Sequence, residues 1–158
     1  MTLRVAQDGY LLEPGEGEGL WFSGGLFTLK TTGRETAGGL VVAEVNAPQG
    51  TGSPAHVHHC EDEAWYVLDG QLSFWLGGDR FSAGTGSFVL GRRGVEHRFE
   101  VTSAQARFLL LLTPAGFEEF ARTCGDETTS LAMPPLDLPP KDARLLSAAA
   151  ANHRIDIV

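Results

Sequence analysis

The chain has 158 residues, 42% hydrophobic and 20% charged, and a formal net charge of −8 at pH 7. This length supports one domain with a hydrophobic core and is short for two. The acidic balance, which no stripe of Lys or Arg offsets, argues against a nucleic-acid partner, and no apolar run approaches the roughly 18 residues of a membrane span.

The N-terminal residues predict the cellular location, and the location predicts the state of the cysteines. Residues 1–8 lack the apolar stretch of a secretory signal, so we expect the chain to stay in the cytoplasm. In that reducing compartment Cys60 and Cys124 are expected to be free thiols rather than a disulfide.

The twenty glycines lie at short intervals between apolar runs, a pattern typical of the turns of an all-β protein. The acidic, turn-rich segment 13–19 is expected to be a loop leading into the first strand. Strands are predicted over 20–22, 25–30, 40–45, 63–68, 71–76, 80–82, 87–90, 97–102 and 107–113. Their short connections favour an antiparallel sandwich or barrel, because parallel pairing needs long crossovers.

The pattern changes after Pro114. A short helix is predicted over 115–123, a stiff proline-rich linker over 133–140, and a second helix over 141–151. Residues 155–158 are predicted to form a short strand that adds to a sheet edge or to a second subunit. We expect one domain, in which a barrel over 1–114 carries the segment 115–158, with its helices covering the open end of the barrel.

Four of the five histidines lie between Gly50 and His97. His56 and His58 are two residues apart, so on a strand their side chains share one face. Glu63 adds a carboxylate and His97 a third imidazole, and this donor set suits Fe, Ni, Co, Mn, Cu or Zn with positions left open.

Two residues close to Glu63 in the sequence could reach the metal site in its place. They are Cys60 and Glu61. His59 is expected to point away from the site, and His153 is expected to lie at the surface.

These residues carry a family resemblance. Gly50, His56, His58, Glu63 and Gly70 match the spacing of the first cupin motif at every position. Residues 86–101 resemble the second cupin motif, with two departures that are not at ligand positions: Arg92 stands where proline is usual, and Val101 stands where asparagine is usual.

The segments outside the motifs resemble small single-cupin proteins described as similar to quercetin 2,3-dioxygenase. The resemblance implies an all-β cupin fold, a double-stranded β-helix or jelly-roll barrel, with short C-terminal helices. It also implies one divalent transition metal ion per subunit, held by His56, His58, Glu63 and His97. In such enzymes the residue matching Glu63 takes a proton from the substrate hydroxyl, after which dioxygen reacts with the enolate and the ring opens.

Period-two alternation predicts the pocket. If Glu63 faces inward, so do Trp65 and Val67, and if His97 does, so do Phe99 and Val101. Phe74 or Trp75, together with Phe88, would come from neighbouring strands. The candidate substrate-binding residues are Trp65, Val67, Phe74, Phe88, Phe99 and Val101. They describe an apolar cavity for a planar aromatic ligand, with ordinary core packing as the alternative for each.

Three functions are consistent with this sequence. The first is an O2-dependent dioxygenase acting on an enolisable aromatic or polyketide-like small molecule, with Glu63 as the catalytic residue. The second is a non-redox, metal-dependent cyclase or isomerase of polyketide-type substrates, and the third is a small-molecule-binding cupin. A homodimer is expected, because cupins commonly pair through their sheets.

Overall fold

The computed structural model describes residues 4–6, 8–139 and 141–158, and within these ranges the chain forms fourteen strands and two helices. The strands are β1 (Arg4–Ala6), β2 (Gly9–Leu11), β3 (Glu18–Phe22), β4 (Gly25–Thr31), β5 (Val41–Pro48), β6 (His56–His58), β7 (Asp62–Asp69), β8 (Gln71–Leu76), β9 (Asp79–Gly84), β10 (Phe88–Gly91), β11 (His97–Val101), β12 (Gln105–Thr113), β13 (Asp126–Thr128) and β14 (Ile155–Ile157). The helices are α1 (Phe117–Cys124) and α2 (Ala143–Asn152). Neither helix has the length and apolar character needed to cross a bilayer.

Two antiparallel sheets form a sandwich. One sheet has the order β10-β7-β12-β5-β4-β3-β13, the other has the order β14-β6-β11-β8-β9, and β1 pairs with β2 as a separate hairpin. From β5 onward the chain passes repeatedly from one sheet to the other, which is the path of a jelly roll. The predicted all-β fold with short C-terminal helices is confirmed.

Period-two alternation places the core between the sheets. On β5 the side chains of Val41, Ala43 and Val45 are at most 1% exposed, while the residues between them are half-buried. The paired strand β12 alternates in the same way, with Phe108 and Leu110 buried. Each large apolar side chain fully buried in this manner stabilises the fold by about 1.5–3 kcal/mol.

The predicted strands are present, with boundaries that differ by a few residues. Hydrogen bonding lengthens the strand predicted over 80–82 to Asp79–Gly84. Four short strands, β1, β2, β6 and β13, have no counterpart among the predicted ranges, because three residues are too few to show an alternating pattern. The strand β14 pairs with β6 of the same chain and so adds to the edge of the five-stranded sheet.

Both helices begin about two residues later than predicted. Gly116, at φ 147°, is the N-cap of α1, and the Asp142 side chain accepts a hydrogen bond from the Arg144 backbone N–H at the start of α2. Arg122 of α1 donates two hydrogen bonds of 2.7 Å to the Glu18 carboxylate, which ties the helix to β3. The division of the domain at residue 114 stays a prediction.

The sheet register corrects the position of Phe88. This residue lies opposite Tyr66, and both side chains point outward, 61% and 41% exposed. Val89 lies opposite Trp65, and these two are buried. The expectation that Phe88 faces the interior is therefore wrong, because the inward positions of β10 begin one residue later.

The turn between β4 and β5 contains a carboxylate with a lowered pKa. Hydrogen bonds from Thr32, supported by one from Arg34, lower the pKa of Glu35 from 4.5 to about 2. The folded state therefore favours the ionised carboxylate. This contribution to stability is present above about pH 4.5 and is lost as the pH falls through about 2.

We predict that Glu35→Gln lowers the free energy of unfolding at neutral pH by about 1 kcal/mol, a modest value because solvent screens this partly exposed group. Denaturant titrations between about pH 7 and about pH 3 should show the difference from wild type shrinking as the carboxylate becomes protonated in the unfolded state. Glu127→Gln, at an exposed position, is the matched control. A difference that stays constant over this range would contradict the prediction.

Candidate metal centre

Both sheets contribute to one buried cluster of metal-ligating side chains. His56 and His58 come from β6 and His97 from β11 in the five-stranded sheet, whereas Glu63 comes from β7 in the seven-stranded sheet. His56 lies directly opposite His97 in the ladder of β6 and β11. All four residues are at most 8% exposed.

The cluster converges on one carboxylate oxygen. The Nε2 atoms of His97, His58 and His56 lie 2.9, 3.1 and 3.4 Å from Glu63 Oε2. One ligand atom from each of the four residues lies within 4.8 Å of the others. This cluster could hold a metal ion.

The other nitrogen of each imidazole is fixed by a hydrogen bond. Nδ1 of His56 donates to the Pro54 carbonyl at 2.9 Å, and Nδ1 of His97 donates to the Val95 carbonyl at 2.8 Å. These oxygens can only accept, so the Nδ1 atoms must carry the protons. The Nε2 atoms are thereby left with lone pairs that face the centre of the cluster.

The donor set fits a transition-metal ion. Three nitrogen lone pairs and an anionic oxygen meet in a buried space, and such an arrangement is unfavourable unless a positive charge lies among them. His58 Nε2 has no hydrogen-bond partner among the described residues, although Glu63 Oε2 is close. Three imidazoles and one carboxylate are suitable ligands for a divalent ion with open coordination positions.

The pKa values of Glu63 and His58 also indicate that the cluster favours a positive charge at its centre. Burial acts to raise the pKa of Glu63, but in the metal-free site protons shared with the Nε2 atoms of the three histidines outweigh it and lower this pKa well below its ordinary value. Burial acts to lower the pKa of His58, but Glu61 and Glu63 outweigh it and raise this pKa to about 9. A proton on His58 and a metal ion are therefore competitors for the same site.

The structure separates the ligands from their sequence neighbours. Glu61 is buried and contacts His58 at Nδ1, the nitrogen that faces away from the cluster, and Cys60 is half-buried. His59 contacts Asp156 at 2.7 Å on the outer side of β6, as alternation predicts. His153 packs near Phe120 on the C-terminal segment, with 6.0 Å between ring centroids.

The turn before His97 is held without the usual proline. Gly94, at φ 76°, donates its N–H to the His58 carbonyl at 2.7 Å. Arg93 forms a two-pronged ion pair with Asp62 (3.1 and 3.0 Å) and also donates its backbone N–H to that carboxylate at 2.9 Å. These bonds connect the turn before His97 to the strands that carry His58 and Glu63.

A cavity of about 650 Å³ opens beside the cluster, and His56, His58 and Glu63 form part of its wall. The rest of the wall is mainly apolar and comes from the barrel and from the C-terminal segment. Its aromatic members are Trp21, Phe22, Phe27, Phe99, Phe117 and Phe120. Residues of the proline-rich linker, among them Met133 and Pro135, complete the wall.

Most of the residues predicted to bind substrate do not line this cavity. Phe99 lines the cavity. Trp65, Val67, Phe74 and Val101 are fully buried and pack within the core between the sheets. The Trp65 ring packs edge-on against His97 at 5.6 Å, so it supports a ligand of the cluster.

Sequence reasoning missed the aromatic residues of α1 and β3 as cavity walls. Phe117 and Phe120 show the spacing of a helix face in the sequence, but nothing in that spacing identifies what the face covers. Phe22 contacts both rings, with centroids 6.0 and 5.7 Å away, and so joins the barrel wall to the helix.

The sandwich that carries the buried cluster has the fold of the cupins. Residues 43–112 match the family model for the cupin domain. Two solved structures share the fold: a protein from Thermotoga maritima described as a predicted oxalate decarboxylase (TM-score 0.60, 19% identity, 66% of this chain and 98% of that one) and the Cnp3 cupin domain of Schizosaccharomyces pombe (TM-score 0.56, 16% identity, 75% of this chain and 82% of that one).

In sequence, the protein resembles quercetin 2,3-dioxygenase. It is 30% identical to that enzyme from Bacillus subtilis (strain 168) over 117 residues, which are 74% of this chain. The match covers 35% of the enzyme, so the chain spans about a third of the length of this curated relative.

We predict that a divalent transition metal stabilises the metal-free protein. A ligand present at about 100 times its Kd adds about 2.7 kcal/mol, which corresponds to an increase in Tm of about 5–10 °C for a chain of this size. His58→Ala should abolish this increase, whereas His153→Ala should keep it. Differential scanning calorimetry with Co²⁺ and with excess chelator measures both, and an equal increase in His58→Ala would contradict the assignment.

Proposed function

We propose that the protein is a metal-dependent dioxygenase, similar in chemistry to quercetinase, that acts with O2 on an enolisable aromatic or polyketide-like small molecule. The observation that carries this proposal is the buried cluster of three histidines and Glu63 opening into a cavity with aromatic walls. The similarity to quercetin 2,3-dioxygenase supports it.

The cofactor in this proposal is one divalent transition metal ion per subunit, of the group Fe, Ni, Co, Mn, Cu and Zn. His56, His58, His97 and Glu63 would hold it. When bound, such an ion supplies a Lewis acid and, if it is redox-active, a route for electrons between substrate and O2.

Glu63 has two oxygens available for two roles. All three contacts with the imidazoles are made by Oε2. Oε1 is therefore available to accept a proton from a substrate hydroxyl in the cavity, which would convert the substrate to its electron-rich enolate. The aromatic walls would exclude water from this anion and leave it to react with O2.

The cavity suits a planar apolar substrate. Its volume of about 650 Å³ is typical of small-molecule sites. Phe22, Phe99 and Phe117 lie on its walls, and flat aromatic rings pack well against such side chains.

We predict that metal-loaded protein consumes one O2 for each molecule of a flavonol or similar enolisable phenol, with both oxygen atoms of ¹⁸O2 found in the product. Glu63→Gln should lose about 100-fold or more in kcat, because a general base contributes about 10²–10⁴-fold. Metal content must be measured in parallel, since Glu63 is also a proposed ligand. Glu127→Gln is the control, and turnover under strict anaerobiosis would refute the dioxygenase proposal.

A non-redox cyclase or isomerase is the second candidate. The donor set that supports it suits Zn²⁺ as well as redox-active ions, and Oε1 of Glu63 could act as a base without O2. Zinc in the purified protein and turnover without O2 would favour it. Tight binding of a small molecule with no turnover under either condition would instead favour a binding cupin.

We also propose a homodimer that forms through the outer face of the seven-stranded sheet. Tyr66, Phe88 and Leu90 are 41%, 61% and 46% exposed on this face, where an antiparallel sheet in water usually carries polar side chains. The charges beside them are paired, since Glu44 contacts Lys30 at 3.5 Å and Arg107 at 3.6 Å. This face therefore contributes little to the net charge that would repel a second copy.

We predict that Phe88→Glu shifts the protein from dimer to monomer at micromolar concentration, because a two-fold interface would receive the new charge twice. Light scattering coupled to size exclusion measures the mass. Leu145→Glu, at an exposed apolar position on α2, is the control and should leave the mass unchanged. A wild-type monomer, or a Phe88→Glu dimer, would contradict this interface.

A cytoplasmic location also stays a proposal. Both cysteines are free thiols in the structure, which suits a reducing compartment.

A further inference from the structure

A second buried carboxylate lies next to the metal cluster. Glu61 is 4% exposed, and its Oε2 accepts a hydrogen bond from His58 Nδ1 at 3.2 Å. The proposed function uses Glu63 and leaves Glu61 without a role. Burying a carboxylate is costly unless it is paired, so the pairing with His58 calls for an explanation.

The three imidazoles are not supported equally. His56 and His97 donate to backbone carbonyls, which are neutral dipoles, whereas His58 donates to a full negative charge. A carboxylate partner makes an imidazole a stronger electron donor than a carbonyl does. His58 is therefore the imidazole whose tautomer and basicity depend on a side chain rather than on the backbone fold.

A second carboxylate also suits the charge of the site. One carboxylate leaves a divalent ion with a net charge of about +1 in a buried space, and a second carboxylate removes that excess. Glu61 and Glu63 are the two buried carboxylates that contact the histidine cluster in the described part of the chain. Together they match the charge of a divalent ion.

Glu61 is also confined by the helix that covers the cavity. Its Oε1 lies 3.3 Å from the position that a Cβ atom on Gly116 would occupy. The next residue, Phe117, packs near His58 with 6.0 Å between ring centroids. The start of α1 thus encloses the carboxylate and keeps it facing the imidazole.

We infer that Glu61 is a positioning residue of the metal centre: it holds His58 in the Nδ1–H tautomer, with Nε2 facing the metal, and it supplies the second negative charge that balances a divalent ion. This inference rests on the metal site of the proposed function. It requires no particular reaction of the loaded protein.

Two substitutions separate the hydrogen bond from the charge. Glu61→Leu removes both, whereas Glu61→Gln keeps an amide oxygen that can accept from Nδ1–H and removes only the charge. Isothermal titration of metal-free protein with Co²⁺, in competition with a chelator, gives the affinity of each. We expect binding to weaken by about 10–100-fold in Glu61→Leu and by less in Glu61→Gln. Glu127→Gln, which removes an exposed charge far from the cluster in sequence, should stay within about twofold of wild type.

A second readout tests the role directly. In NMR spectra of Zn²⁺-loaded protein, the Nδ1–H proton of His58 should show the downfield shift of a hydrogen-bonded N–H in wild type and in Glu61→Gln, and this shift should be lost in Glu61→Leu. A purely structural role of Glu61 would alter the melting temperature without changing the chemical shift of this one proton.

The outcomes are distinguishable. Folded Glu61→Leu with wild-type affinity for Co²⁺ and an unchanged chemical shift of the His58 Nδ1–H proton would overturn the inference and leave the metal site intact. If Glu61→Leu does not fold, wild-type affinity in Glu61→Gln would overturn it. A wild-type protein that binds no Co²⁺ would instead refute the metal site, and the proposed function with it.

Discussion

Four electron-rich side-chain atoms meet in the buried space between two sheets, and the other properties of the site follow from the repulsion among them. The Nε2 atoms of three histidines face Glu63 Oε2 at 2.9 to 3.4 Å. Lone pairs and a carboxylate at such distances repel one another unless a positive charge lies among them. The raised pKa of His58 and the lowered pKa of Glu63 are two consequences of that requirement.

The sandwich provides this arrangement because its two sheets contribute different donors. The imidazoles come from the five-stranded sheet and the carboxylate from the seven-stranded sheet, so an ion at this point would link the sheets. Bonds from Arg93 to Asp62 and from Gly94 to the His58 carbonyl connect the turn before His97 to both sheets. The departure from proline at Arg92 is therefore compensated by contacts of the residues that follow it.

The cavity depends on the C-terminal segment as much as on the barrel. Helix α1 supplies Phe117 and Phe120, the proline-rich linker supplies part of the wall, and β14 adds Ile155. Because β14 pairs with β6, the strand that carries two of the histidines, the covering segment is anchored directly beside the ligands. Changes in this segment can alter the shape of the cavity while the four candidate ligands stay in place.

Local pattern determined much of this protein from the sequence alone. Apolar, β-branched runs between glycine-rich turns predicted the strands, and the separation of His56 from His58 placed both on one face. The tertiary structure decided what depends on pairing between distant strands: the outward position of Phe88, the partner of β14 and the helix residues that line the cavity. A shift of one residue in register moves a side chain to the opposite face, and the sequence of a single strand does not state its register.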